Sequence, residues 1–279
     1  MKRFISYIVC ILLVIAITLA SLLYIFSNTV LNENYILETL ENNNYYEKTY
    51  DNIKAGFSQY IMQSGLEENV VDNLYTNEQV KQDVNTIISN VYSNKNQKID
   101  TIKIKANLES NIEKYLENKK ITLNTSQRKS VDKFVDTIEK TYVDEISYSS
   151  YLDKIGNKVY RINQIIKKVN PIIYGAILAL VVLIIIINIK QIYLGINYIG
   201  IAILASGLIN IISKIYINKK VNISKILLIN EDISSIIINI LNKILYYIQN
   251  WGLIMIGVGL IILILTNIIK YKRMENEMQ

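Results

Sequence analysis

The sequence predicts an all-α, polytopic membrane protein with four transmembrane helices and an extracytoplasmic helical bundle between the first and the second. Three observations carry that prediction. Four apolar stretches, Phe4–Phe26, Pro171–Ile189, Tyr193–Ile212 and Trp251–Ile269, contain no Asp, Glu, Lys or Arg. Each is about 19–23 residues long, close to the roughly 20 needed to cross a hydrocarbon core of about 30 Å as a helix. The long polar segment between the first two repeats its apolar residues at intervals of three and four, the period of a helix face. That segment has no proline, and glycine only at Gly56, Gly65 and Gly156, too few breakers for a turn-rich β-fold. The expected organisation is a signal-anchor helix at 1–26, an extracytoplasmic domain at 27–170, and a three-span membrane domain at 171–279 with an amphipathic loop helix at about 232–249.

Taken in order, the first element opens on Met1-Lys2-Arg3 and runs apolar to Phe26. That run exceeds a signal-peptide core of about 7–15 residues and no A-x-A-like site follows, so it reads as an uncleaved signal-anchor. Cys10 lies inside it as the chain's single cysteine, which rules out an intramolecular disulfide and reads as a small apolar filler. Val9 before it does not fit a lipoprotein signal.

In the polar segment, Ile53, Phe57 and Ile61 form one stripe, with Tyr46 and Tyr50 ahead of it. Val80, Val84, Ile87, Ile88 and Val91 form a second stripe. Val131, Phe134, Val135, Ile138, Tyr142 and Ile146 form a third, and Leu152, Ile155, Val159, Ile162, Ile166 and Val169 a fourth. Segment Ile99–Leu116 adds a thinner face of Ile104, Leu108, Ile112 and Leu116. These spacings predict five or six amphipathic helices. Thr76 with Gln79 reads as a capping box, Gly65 as a helix end, and Thr125 or Ser126 as the cap of the helix carrying Phe134. The fourth stripe runs without a break signal into Pro171, which either sits in the first turn of the second span or kinks a continuous helix.

In the spans, Gly175 with Ala179 and Ala202 with Ser206 have the small-xxx-small spacing that lets helices approach, and Asn210 extends the latter stripe by a turn. These five are the candidate helix-packing residues. Gly252, Gly257 and Gly259 suggest another close contact in the last span. Ahead of Trp251, the residues Ile233, Ile236, Ile237, Ile240, Leu241, Ile244 and Ile248 make one apolar face. A helix so built lies in the membrane interface or packs beneath the external bundle.

Charge and composition narrow the function classes. The net charge is +6, but segment 27–170 carries 19 Lys/Arg and 20 Asp/Glu, a net of −1. The basic excess is therefore elsewhere, and nucleic acid is not an expected partner. Ile, Asn, Lys and Tyr dominate, all with A/T-rich codons, which points to a low-GC bacterium and its cytoplasmic membrane. Lys2, Arg3, Lys190, Lys270, Lys272 and Arg273 fall at the two termini and the short turn near 190, against a sparser spread of five lysines over 214–250. The positive-inside rule then puts both termini in the cytoplasm and 27–170 outside. Tyr7, Tyr24, Tyr174, Tyr193, Tyr216, Tyr246, Tyr247, Trp251 and Tyr271 read as an aromatic belt.

The external segment holds 12 Tyr against two Phe, a preference that codon bias does not explain. Such tyrosines either stack on wall glycan or peptide chains, or edge a small core with their hydroxyls in water. The Asn124-Thr125-Ser126 and Asn222-Ile223-Ser224 sequons are chance matches in a chain this rich in asparagine.

There is no histidine, which removes His-based triads, His-ligated zinc and HExxH chemistry. No P-loop, GxGxxG or CxxC is present either, and acidic neighbours such as Glu67-Glu68 and Asp144-Glu145 read as solvated surface. No catalytic, cofactor or metal residue is assigned, and an enzyme is not expected. In topology alone, the layout is similar to permease subunits of the mechanotransmission type, in macrolide exporters and the cell-division permease family. It departs from them in having only about Asn188–Ile192 between spans two and three to meet an ATPase. It departs also in its all-helical outer domain. The expected function is a non-enzymatic envelope sensor, adaptor or structural protein, with the lipid bilayer and an envelope protein or cell-wall chain as partners. The alternative is a permease-like or channel-like subunit of a transport complex.

Overall fold

The computed structural model describes residues 2–95, 97–147, 149–221 and 231–278, of which 147, 149–157, 231–233 and 273–278 are described by backbone alone. Among the described residues the chain forms nine α-helices, two short 3-10 turns and no strand. The helices are α1 (Lys2–Ser27), α2 (Glu33–Asn42), α3 (Tyr45–Ser64), α4 (Asn77–Ser93), α5 (Ile102–Asn118), α6 (Thr125–Ser147), α7 (Ser149–Ile187), α8 (Ile192–Lys220) and α9 (Glu231–Met278). Four helical stretches are long and apolar enough to cross a membrane: Lys2–Ser27, Lys158–Ile187, Ile189–Lys220 and Ser234–Lys272. The chain divides into two compact units. One comprises residues 1–32 and 163–279, the other 33–162.

In the first unit, α8 and α9 form an antiparallel hairpin. Thr266 Oγ1 lies 3.4 Å from Asn197 Oδ1, Gly200 faces Ile262 and Leu263, Leu204 faces Gly259, Gly207 faces Gly252 and Ile256, and Lys214 bonds Gln249. Helix α1 lies along α8 in the same direction, from the Tyr7–Tyr198 edge-to-face pair at 5.3 Å to the Asn210–Ser21 bond. Beyond it the ring of Tyr24 meets Trp251 at 5.1 Å. Helix α7 runs the opposite way to α1: Asn188 Nδ2 donates to Ser6 Oγ at 3.0 Å, and Ile184 joins Val9, Cys10, Leu13, Tyr198 and Ala202 in one apolar core. Residues near 6, 188 and 266 thus gather at one end of the unit.

Three sequence expectations change here. The amphipathic segment at about 232–249 is not a separate element but the first five turns of α9. No proline or glycine stands between Glu231 and Trp251 to break it. At about 1.5 Å per residue the 48-residue helix is about 72 Å long, more than twice the hydrocarbon thickness. Its face of Ile236, Ile240, Ile244 and Ile248 is buried in protein, whereas the side chain of Ile233 is not among those described and the Asn222–Ser224 sequon lies outside the described residues. Pro171 sits inside α7, so the second of its two readings holds: the helix continues through it. Helix α8 runs about two turns beyond Ile212, because nothing in 213–220 stops it until the chain turns extended at Val221.

The second unit is built on α3, whose Ile53, Phe57 and Ile61 are each at most 1% exposed. Helices α2, α4 and α6 pack on α3, and α5 packs on α6 and on the 3-10 turn Glu68–Val71. Asn111 Nδ2 secures that turn by donating to the carbonyls of Val70 and Asp72, both at 3.1 Å. Val80, Val84, Ile104, Leu108, Ile112, Val135, Ile138, Tyr142 and Ile146 complete the core. Ile87, Ile88, Val91, Val131 and Phe134 are only half-buried, as expected of stripes wider than the surface they cover. Leu152 and Ile155 of the fourth stripe lie outside the residues whose side chains are described, and Ile162 is exposed.

Local chemistry sets the helix ends. Thr76 accepts from Gln79 N at 3.1 Å, the expected cap of α4. The cap of α6 is neither Thr125 nor Ser126 but Asn124. Its Oδ1 accepts from Gln127 N while Gln127 Oε1 accepts from Asn124 N, both at 2.9 Å, a reciprocal capping box on an asparagine. Gly65 ends α3 in the left-handed region at φ 73°. The equivalent position after α5 is Lys120, at φ 56°. There Ile121 N reaches Leu116 O at 2.9 Å and Lys120 N reaches Glu117 O at 3.0 Å, a Schellman closure with the wrong residue for its backbone.

Lys120→Gly should therefore raise the unfolding free energy of this unit by about 0.5–1 kcal/mol, since glycine adopts that conformation without the Cβ clash. Ile138→Ala should lower it by about 2–5 kcal/mol, and Phe134→Ala by clearly less. Chemical denaturation followed by circular dichroism measures all three.

Candidate functional site

The first unit contains a seam of small and polar side chains between α1 and α8. Starting from one end, Ser6 is fully buried against Asn188. Cys10 Sγ lies 3.3 Å from Tyr198 O. Ser206 Oγ lies 2.8 Å from Ala202 O, one turn back, and 3.1 Å from Val14 O across the interface. Asn210 Nδ2 donates to Ser21 Oγ at 3.0 Å, and Ser21 in turn donates to Thr18 O at 2.8 Å. Asn210 is 1% exposed, and its Oδ1 has no hydrogen-bond partner. Helical spacing produces this seam: positions 6, 10, 14, 18 and 21 share one face of α1, and 202, 206 and 210 one face of α8. In lipid, where apolar side chains gain little by leaving the bilayer for protein, such bonds and close packing hold helices together.

A second contact binds α8 to α9 backbone to backbone. A methyl group placed on Gly207 would stand 2.6 Å from Gly252 O, one on Gly252 2.9 Å from Gly207 O, and one on Gly259 2.7 Å from Leu204 Cβ. On Gly200 it would meet Ile262 Cγ2 at 2.8 Å. All four distances are shorter than a carbon atom tolerates, so only glycine fits.

Of the five sequence candidates, Ala202, Ser206 and Asn210 lie together in the α1–α8 seam. Gly175 and Ala179 do not join them. Both are exposed on α7, and a methyl on Gly175 would find nothing within 4 Å. Gly257 likewise faces open space, one residue out of phase with the face that carries Gly252, Ile256 and Gly259. The residues that sequence reading passed over are Ser6 and Ser21 on α1, Asn188 after α7, and Gly200 and Gly207 on α8. Gly200 and Gly207 are seven residues apart, two helical turns, and that periodicity was the available signal.

In the second unit the tyrosines form a connected interior. Tyr75 packs on Tyr50 at 5.0 Å, on Phe57 at 5.5 Å and on Tyr142 at 5.5 Å. Their hydroxyls find protein acceptors: Tyr142 donates to Asp83 Oδ2 at 2.7 Å, Tyr46 to Asn85 Oδ1 at 2.8 Å, and Tyr75 to Tyr50 O at 3.3 Å. Burial, with the Glu41 charge adding to it, pushes the Tyr46 hydroxyl up to about 12, and burial raises Tyr75 and Tyr142 further. All three are neutral donors at any physiological pH. Burial also raises the Asp83 carboxyl; the Tyr142 hydrogen bond opposes this and the Asp100 charge adds to it. Among the residues described, no group of three or more His, Cys, Asp or Glu is placed to hold a metal ion.

Gly207→Ala and Gly252→Ala should each destabilise the α8–α9 hairpin by about 1–3 kcal/mol or block its formation, whereas Gly257→Ala and Gly175→Ala should leave it unchanged. Thermal unfolding of the detergent-solubilised chain distinguishes the two pairs.

The pH prediction follows from the sign of the Asp83 shift. An acid raised in the folded state gives stability that is present below its unfolded value and lost as pH rises through the folded one. The 33–162 unit should therefore gain stability as pH falls from neutrality through the raised value of Asp83 toward the ordinary carboxylate value. Asp83→Asn, which keeps an acceptor for Tyr142, should flatten that part of the profile. A wild-type slope retained in the variant would assign it to another group, Glu145 being the next buried carboxyl raised the same way.

No protein-family model, no curated protein and no solved structure matches this chain, so its role is read from its own residues.

Proposed function

We propose that the chain is an integral protein of a bacterial cytoplasmic membrane that acts without catalysis, as an envelope sensor, adaptor or structural protein. In this reading the 33–162 unit meets the partner outside the cell, and the spans anchor it. Both the Lys2–Arg3 end and the Lys270–Lys272 end are cytoplasmic.

The observation that carries the reading is how polar groups are used in the spans. Ser6, Ser21, Ser206 and Asn188 are each bonded to a neighbouring helix or to their own, and the segments contain no charged residue between Phe4 and Phe26 or between Trp251 and Ile269. That pattern suits a packed anchor better than a path for a polar solute. The 33–162 unit, by contrast, presents a charged surface, with pairs such as Lys119–Glu67 and Lys81–Glu41, both at 2.6 Å. One observation favours the alternative of a permease-like or channel-like subunit: the unpaired Oδ1 of Asn210, buried within a span.

Two measurements separate these readings. Exchanging 33–147 for an unrelated antiparallel bundle should abolish the phenotype that distinguishes cells with the protein from cells lacking it, while Asn210→Leu should nearly preserve it. A transport defect from Asn210→Leu in inserted, abundant protein would reverse the assignment. Orientation is tested separately: with Cys10 replaced, Lys98→Cys should react with a membrane-impermeant maleimide in intact cells, and labelling only after lysis would place the unit inside.

A further inference from the structure

The end of the membrane unit opposite Ser6 and Asn188 carries a concentration of unpaired positive charge. The register fixed by Leu204–Gly259, Gly207–Ile256 and Lys214–Gln249 puts Lys220, at the end of α8, opposite Lys243 on α9. Both are exposed, as is Lys219. Lys243 Nζ stands 5.7 Å from the ring centroids of both Tyr246 and Tyr247. Lys214 bonds the neutral side chain of Gln249. No carboxylate among the described residues pairs with any of these lysines. The sequence offers none nearby: 192–220 and 233–272 contain no Asp or Glu, and Glu231 and Asp232 lie at least 11 residues along α9 from Lys243, or about 16 Å. About half a turn inward from Lys214 and about two turns inward from Lys243, the Tyr24–Trp251 pair marks the start of the charge-free apolar segments.

We infer that this end of the α8–α9 hairpin holds an anionic phospholipid headgroup. Lys219, Lys220 and Lys243 supply the charge, and Tyr246 and Tyr247 form an aromatic wall beside it. Charge complementarity selects the ligand. Three flexible ammonium groups one or two turns above an aromatic girdle stand at headgroup depth, where each reaches a phosphodiester oxygen while its methylene stem stays along apolar surface. Lys243 is already drawn over two tyrosine rings, which orders it toward that level. The inference rests on the proposed membrane location but not on the proposed orientation or role, since it holds whichever side of the bilayer this end faces.

The chain contains its own reporter, because Trp251 is its single tryptophan and lies two turns from Lys243. The purified full chain is reconstituted into vesicles of phosphatidylcholine containing a minor fraction of either brominated phosphatidylglycerol or brominated phosphatidylcholine, and quenching of Trp251 is compared. Brominated phosphatidylglycerol should quench more strongly than its fraction predicts. Lys219→Gln, Lys220→Gln and Lys243→Gln should each lower that preference, by up to about fivefold per lysine. Lys270→Gln with Lys272→Gln, at the other end, should not lower it. Equal quenching by the two lipids, or equal loss from the distant pair, would overturn the inference. Abolition of the preference by millimolar inorganic phosphate would replace the lipid by a free phosphate. All the substitutions are at exposed sites, and emission in pure phosphatidylcholine confirms that each variant is inserted as the parent is.

Discussion

The contact on which the unit of long apolar helices depends is the approach of α8 and α9 at Gly207 and Gly252, where each backbone occupies the space a side chain would need on the other. Lipid gives apolar helices little reason to leave it for one another, so packing at backbone range and a few hydrogen bonds must hold them. Once Gly207 meets Gly252, the antiparallel register follows: Gly200 against Ile262, Leu204 against Gly259, Lys214 at Gln249. That register turns the face carrying Ala202, Ser206 and Asn210 toward α1. There Cys10 and Ser21 meet α8 with groups small enough to let the helix in and polar enough to hold it, while Ser6 on the same face of α1 holds Asn188 at the end of α7. Asn210, itself buried, uses its amide nitrogen and leaves its oxygen unpaired. That is the one place where the seam is not internally satisfied.

The 33–162 unit solves a different problem. It has no cysteine, and a unit of this size must hold itself by burial alone. Its interior is built on tyrosine rather than phenylalanine, and the reason is visible in the bonding. Tyr46, Tyr75 and Tyr142 each bury a ring and pass the hydroxyl to an acceptor inside the unit. A phenylalanine would supply the same ring without the link, and would leave the half-buried Asp83 without its donor. Neither of the two expected roles, glycan stacking or wet core edges, describes these three residues: they are interior and bonded. Tyr60, the exposed tyrosine among the side chains described in this unit, is not part of the network.

Long uninterrupted helices are the feature the two solutions share. Helix α7 continues through Pro171 and α9 through Trp251, each past the point where composition changes from polar to apolar. Composition reports what surrounds a helix, whereas continuity depends on the absence of breakers, and these two signals separate at both sites. The same separation accounts for the lysines: Lys219, Lys220 and Lys243 look like loop charges in the sequence, yet α8 and α9 carry them.

The sequence by itself determined the helical class, the four long apolar helices, the amphipathic faces of α3 to α6 and most of their core residues. Each of these is a periodicity, and a period of 3.6 is written along the chain. It also marked Ala202, Ser206 and Asn210, because small residues four apart define a face whatever that face meets. It could not say which small-residue face has a partner. Gly175 and Ala179 have the same spacing as Ala202 and Ser206 but face outward, while Gly200 and Gly207 were passed over and are packed to backbone contact. Likewise Asn124, not Thr125 or Ser126, caps α6, because the choice depends on where the first turn begins. These matters were decided only by the tertiary structure: a face is a property of one helix, but a contact needs two helices at a fixed register, and register depends on side chains far apart in the sequence.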